Sequence, residues 1–291
     1  MRARLPDRAG VVDRDGVRVG FEIYGRGEPA LLLVPSSPIT HSRCWKMIAP
    51  TLARRYTVAT VDNRGSGRSD RPYAPDAWTP AVIAADLLAV LDAAGLDTAV
   101  LVAHCHAVPW IMRVAVEHPE RVAGLVAIAP ELAVAPPHPH WAVGDHWADG
   151  VGAGSGWATF NRSFWRQDGG YRAWIEFFFG QQLPEPHSTK LYEDMVTWAT
   201  RDTDPESMIL QEESGGPAAD EADAWCRGLH CAVLVLHGSE DLCQPVARGR
   251  RMAELTGGEL VVLDGAGHLP HARDPVKVNL LIKQFVDRVG R

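Results

Sequence analysis

Apolar residues along much of this chain fall in short continuous runs. Ala30 to Val34, Tyr56 to Val61, Ala99 to Val102 and Gly124 to Ile128 are four such runs. Between them, Trp45 to Ala53, Pro80 to Ala94 and Pro109 to Glu117 carry helical spacing. A short strand with no polar face is buried on both sides, so strands of this kind separated by helices predict a parallel sheet covered on both faces. The pattern resumes with a strand over Ala232 to Leu236, a helix over Pro245 to Leu255, a strand over Glu259 to Leu263 and a closing helix over Val276 to Val289. The beginning differs: Val11 to Val12 and Val17 to Tyr24, joined through Asp15-Gly16, predict an antiparallel hairpin at a sheet edge.

The stretch from Glu131 to Arg227 breaks this alternation. It opens on Pro136-Pro137-His138-Pro139-His140 and holds Trp141, Trp147, Trp157, Trp165, Trp174, Trp198 and Trp225, most of the chain's ten tryptophans. The expected organisation is a core built from residues 1–130 and 228–291, with residues 131–227 as a helical lid laid over the sheet. Its aromatics have two readings, a pocket lining or the lid's own core, and packing is the commoner role of large aromatics.

Composition narrows the function classes. A formal charge of -7 over 291 residues argues against nucleic acid, whose phosphates want a basic face. No apolar run approaches the roughly 18 residues that a membrane span needs, and Met1 to Gly10 lacks the apolar stretch of a secretion signal. Five cysteines, an odd number, then predict reduced thiols and a cytoplasmic location. Neither a C-x-x-C pair nor a ligand spacing among His138, His140 and His146 argues for a metal. No cofactor is expected.

The chemistry concentrates in three loops. In Val100-Leu101-Val102-Ala103-His104-Cys105-His106-Ala107 a buried strand runs straight into a helix, with a potential nucleophile at the turn and small residues two positions to either side. That is the pattern of a nucleophile elbow, whose sharp turn tolerates only small neighbours. A cysteine there stands at a helix N-terminus, where the dipole and free amides favour a thiolate. Leu236-His237-Gly238-Ser239-Glu240-Asp241 follows the penultimate strand and offers a carboxylate able to orient an imidazole. Asp264-Gly265-Ala266-Gly267-His268-Leu269-Pro270 follows the last strand and offers that imidazole. Glu131, just past the strand at Gly124 to Ile128, is a competing acid.

The three loops, together with Asp62-Asn63-Arg64-Gly65-Ser66-Gly67-Arg68-Ser69-Asp70 and with Asp274-Pro275 after the histidine loop, resemble the α/β-hydrolase superfamily over essentially the whole chain. The nine-residue segment is similar to the family's D-x-R-G-x-G-x-S. The resemblance implies an α/β-hydrolase fold, a triad of Cys105, His268 and Asp241, and oxyanion donors in the backbone N–H groups of His106 and Ser37. It implies structural roles for His104 and His237. His106 and Cys243 are further candidates to face the site.

Two departures bear on function: Cys105 stands where the family usually has serine, between alanines rather than glycines, and the oxyanion loop reads Pro35-Ser36-Ser37-Pro38 instead of His-Gly. A thiol suits activated acyl groups such as thioesters, lactones and aryl esters. The leading expectation is therefore an ester or thioester hydrolase acting through a Cys105 acyl-thioenzyme on a small-molecule or carrier-bound acyl substrate. The alternatives are an acyltransferase or thioesterase-like, Dieckmann-type cyclase, which the Cys/His/Asp set also resembles, and a non-enzymatic ligand-binding relative. Oligomeric state has no signature in the chain.

Overall fold

The computed structural model describes residues 4–141, 147, 155–186 and 189–290. Eight strands form one sheet: β1 (Arg8–Arg14), β2 (Val17–Tyr24), β3 (Leu31–Val34), β4 (Val58–Asp62), β5 (Ala99–His104), β6 (Val122–Ile128), β7 (Ala232–Gly238) and β8 (Glu259–Leu263). Their order is β1-β2-β4-β3-β5-β6-β7-β8. β1 pairs antiparallel with β2 and β2 with β4, while every later pairing is parallel. The hairpin expected at the edge is there. Asp15 and Gly16 both take positive φ, 56° and 83°, the left-handed pair that matches the twist of a two-residue hairpin.

The longer helices are α1 (Pro80–Ala94), α2 (Val108–Glu117), α3 (Gly170–Gln182), α4 (Thr189–Arg201), α5 (Pro205–Ser214), α6 (Ala219–Gly228), α7 (Val246–Thr256) and α8 (Pro275–Val289). Alternate residues of the central strands feed two separate cores. On β5, Leu101 and Ala103 join Leu87 of α1, Ile111 of α2 and Met252 of α7, whereas Val100 and Val102 share a cluster with Ile282 and Phe285 of α8. This period-two division explains why the strands read as unbroken apolar runs.

Two expectations change. Trp45 to Ala53 is not a continuous helix: a 3-10 turn at Ser42–Trp45 is followed by a single α turn at Ala49–Leu52. Pro50 has no N–H to donate and crowds the carbonyl four residues back, so a helix does not pass through it. The lid expected over 131–227 also divides. Its last helix, α6, buries Ala222 and Cys226 in the core beside α2 and α7, so the covering part ends with α5. Over the sheet's other face, Trp165 and Trp174 pack with centroids 4.3 Å apart and ring planes tilted by 39°, almost fully buried, the centre of an aromatic core that extends through Phe160 and Trp147. Among the described residues no helix is long and apolar enough to cross a membrane.

The Asp62 to Asp70 segment acts as a brace. Asp62 accepts the Ser42 and Arg68 backbone N–H groups at 2.9 and 3.1 Å. Arg64 makes two parallel 2.7 Å bonds to Asp86 of α1, with both side chains buried. Gly67 takes φ +54°, and a Cβ there would stand 2.5 Å from the Asp62 carboxyl carbon, so glycine is required.

Candidate active site

β5 ends at His104, and the next residue, Cys105, takes φ +51° before the chain turns through residues 105–107 into α2. A non-glycine residue in this region is strained by about 1 kcal/mol or more. The turn projects Cys105 at the C-terminal end of the sheet, and Ala103 and Ala107, both completely buried, leave room for it. The elbow expected from the sequence is thus present in its backbone.

The acid and imidazole arrive from the two following crossovers. His268 Nδ1 lies 2.8 Å from Asp241 Oδ2. Asp241 Oδ1 accepts the Cys243 and Gln244 backbone N–H groups at 2.7 and 2.9 Å, and His237 Nε2 lies 3.2 Å from Oδ2. Burial opposes ionisation of Asp241, but His268 and His237 outweigh it and hold the carboxyl far below the usual range. With Nδ1 donating to a carboxylate, Nε2 of His268 carries the lone pair; it is buried and has no hydrogen-bond partner among the described residues. His104 Nε2 bonds the His268 carbonyl at 2.9 Å and His237 bonds the Gln244 carbonyl at 2.9 Å, so both stand in supporting positions.

The loop carrying Asp241 is gripped from the lid. His138 bonds the Asp241 carbonyl at 2.9 Å, His140 the Leu242 carbonyl at 2.8 Å, and the Trp141 indole N–H donates to the Cys243 carbonyl at 2.7 Å. The Pro/His-rich segment therefore serves as a clamp on three successive carbonyls; its regular spacing was the only trace of this in the sequence. His146 lies outside the described residues.

Glu131 does not compete for His268. Its carboxylate accepts the Cys105 thiol, Sγ to Oε2 3.4 Å, and stands 3.3 Å from His106 Nδ1. The other His106 nitrogen, Nε2, is 3.2 Å from the Gln211 side-chain amide on α5, whose oxygen is the acceptor that a protonated ring requires. His106 borders the cavity as expected, with both ring nitrogens already within hydrogen-bond distance of protein groups. Burial works against charge in this pair, yet each partner stabilises the other's ionised form, so Glu131 is driven down and His106 up. Glu212, half-buried beside them, is pushed up, first by burial.

This environment also corrects the expected thiolate. Burial, and then the negative charge of Glu131, push the Cys105 thiol well above its ordinary range; the Ser36 hydroxyl beside the sulfur pulls the other way and is outweighed. The helix terminus does not overcome a carboxylate in hydrogen-bond contact.

The backbone N–H of His106 lies in the first turn of its helix, where amides have no intrahelical acceptor. That of Ser37 donates to no described group in its loop, where Thr40 instead caps the Ser36 and Ser37 carbonyls at 2.9 and 3.1 Å. Both residues border a cavity of about 250 Å³ that also reaches Cys105, Glu131 and Cys243. Trp141, Phe160, Trp174 and Phe178 form its apolar wall, so the lid aromatics divide between an internal core and this lining. Cys243 comes closer than expected for a packed thiol: its sulfur and single atoms of Asp241 and His268 all lie within 4.8 Å of one another. Arg248, on α7, also borders the cavity, and no sequence motif singled it out.

Fold and topology define an α/β hydrolase. The alpha/beta hydrolase fold family model matches residues 29–275, and the chain belongs to that family. It is 24% identical over 279 residues to the 2-hydroxymuconate semialdehyde hydrolase of Pseudomonas sp. (strain CF600), an alignment covering 93% of this chain and 91% of that protein. Among solved structures it is similar to the enol-lactonase from Burkholderia xenovorans LB400, with a TM-score of 0.78 at 18% identity over 96% of this chain and 100% of the other. It is also similar to the esterase RhEst1 from Rhodococcus sp. ECU1013, with a TM-score of 0.79 at 23% identity over 97% and 99%.

Proposed function

We propose that this protein is a hydrolase that cleaves a carboxylic ester or thioester through an acyl-thioenzyme on Cys105. The observation that carries the reading is the His268 imidazole: Nδ1 is held by Asp241 at 2.8 Å, while the buried Nε2 is unpartnered among the described residues. A base so oriented, with a strained nucleophile in the same site, is the arrangement that acyl transfer needs. Cys105 Sγ attacks the acyl carbon and its proton passes to His268 Nε2. The oxyanion is met by the His106 and Ser37 N–H groups, as the carbonyl leaves its plane. Collapse expels the alcohol or thiol, which takes the proton from Nε2. Water, deprotonated by the same nitrogen, then attacks the thioester and frees the acid and Cys105. Because the resting thiol is neutral, deprotonation belongs to the reaction itself and depends on this imidazole.

The test is intact-mass spectrometry after incubation with a panel of acyl thioesters and aryl esters, alongside turnover. The expected result is an acyl adduct on Cys105 and loss of turnover in Cys105→Ala. A Cys105→Ala protein that keeps the wild-type rate on the best substrate overturns the reading, and slow, ordinary alkylation of Cys105 with no turnover on any ester favours a ligand-binding protein instead.

A second reading is acyl transfer or ring closure. It is favoured by the Glu131–His106 pair, a charged pair against the sulfur that is separate from His268 and placed to hold an acceptor other than water beside it. Product analysis with alcohol, amine and carbon-acid acceptors decides: free acid alone, whatever acceptor is offered, removes this reading.

A further inference from the structure

We propose that Arg248 is a carboxylate-binding residue, and that the acyl substrate carries an anionic group within reach of the thioester carbon. The inference deepens the hydrolase reading above by naming a substrate class. It rests on an unbalanced charge. The Arg248 residue is only 9% exposed, and its guanidinium donates from Nε to the Ala135 carbonyl at 3.1 Å and from one terminal nitrogen to Gln244 Oε1 at 2.7 Å. Both acceptors are neutral. The second terminal nitrogen makes no hydrogen bond among the described residues, and no carboxylate there lies within ion-pair distance of the group. A buried cation without a counter-ion is costly, and such groups are paired or serve a ligand.

The other charges around the cavity do not supply the missing anion. Glu131 acts on Arg248 electrostatically, but not within ion-pair distance, and its hydrogen-bonded partner is His106. Glu212 is half-buried and pushed towards its neutral form. Among the described residues Arg248 is the only lysine or arginine that borders the cavity. Gln244 and the Ala135 carbonyl hold the guanidinium in place, so its free edge is preorganised to receive a carboxylate, in the geometry that arginine favours. The aromatic wall of Trp141, Phe160, Trp174 and Phe178 leaves the rest of the ligand apolar. The substrate class is an activated half-ester or half-thioester of a dicarboxylic acid, or an acyl group bearing a comparable acid.

Alkylation of Cys105 tests this without relying on turnover. The rates of iodoacetate and of iodoacetamide at Cys105 are measured by peptide mass mapping in the wild type, in Arg248→Gln and in Arg248→Lys. The ratio of the two reagents cancels any change in thiol reactivity or accessibility that a variant causes. The ratio is expected to fall about tenfold in Arg248→Gln, the loss of one charged hydrogen-bonded contact, and to fall less in Arg248→Lys. A ratio in Arg248→Gln equal to that of the wild type overturns the proposal. The second measurement compares p-nitrophenyl hydrogen glutarate with p-nitrophenyl butyrate, and Arg248→Gln is expected to raise KM for the acid alone. Failure of both esters in the wild type counts against the hydrolase reading, while the alkylation ratio still decides the role of Arg248.

Discussion

The Cys105 thiol is hydrogen-bonded to Glu131, Sγ to Oε2 3.4 Å, and among the described residues His268 Nε2 is left without a partner. The thiol and the imidazole are thus each held by a different acid, Cys105 by Glu131 and His268 by Asp241. Burial and the carboxylate against the sulfur both favour the protonated thiol, and in the proposed reaction sulfur and imidazole meet only once an acyl group is bound. Catalytic hydrogen bonds commonly tighten only in the substrate complex.

Alkylation by iodoacetamide reads this resting state. The Cys105 rate is expected to be low at pH 7 and to keep climbing beyond about pH 9, above the ordinary thiol range. Glu131→Gln removes a negative charge that raises the thiol pKa, so it is expected to shift the profile to lower pH and to increase the rate at pH 7 several-fold. A profile that levels off near pH 7 in the wild type would show a resting thiolate.

Asp241 and Glu131 are separable by substitution. Asp241→Asn removes the carboxylate that holds His268 Nδ1–H, so turnover is expected to fall by about 10⁴ through the wrong tautomer. Glu131→Gln leaves the Asp241–His268 contact untouched and is expected to cost far less. Steady-state kinetics on the best ester, with thermal melts to confirm folding, checks both; equal losses would make Glu131 a partner in proton transfer.

Gly238 sets the height of the histidine loop. A Cβ at this position would stand 2.2 Å from both the Ala266 and Gly267 carbonyl oxygens, so backbone rather than a flexible side chain must yield. Gly238→Ala is expected to destabilise the fold by about 1–3 kcal/mol and to lower turnover by displacing His268. Denaturant unfolding and kcat measure the two effects, and a lowered melting point with unchanged kcat would detach Gly238 from the positioning of His268.

Much of the framework was legible because local rules and tertiary structure agree there. Pro80 to Ala94 begins on a proline, which is favoured in a helix's first turn, and ends before Gly95 at φ +73°, so its limits are written in residue type. The strand-to-helix turn at Cys105 was visible because small residues must flank it. Trp45 to Ala53 misled because apolar spacing was weighed above Pro50. The limit of the lid misled because α6 has the same amphipathic pattern whether it covers the sheet or completes the core; only its contacts with α2 and α7 distinguish the cases.

The sequence by itself determined the order of strands and helices, the α/β-hydrolase class and the three loops that carry Cys105, Asp241 and His268, because burial and turn chemistry act on near neighbours in the chain. Only the tertiary structure decided how the charges pair. Which acid meets His268, why the thiol is held protonated, and the unmatched charge of Arg248 depend on contacts such as Cys105–Glu131, Asp241–His268 and Arg248–Ala135, whose partners lie 26, 27 and 113 positions apart. Electrostatic energy follows separation and burial in space, and neither is written in the local pattern.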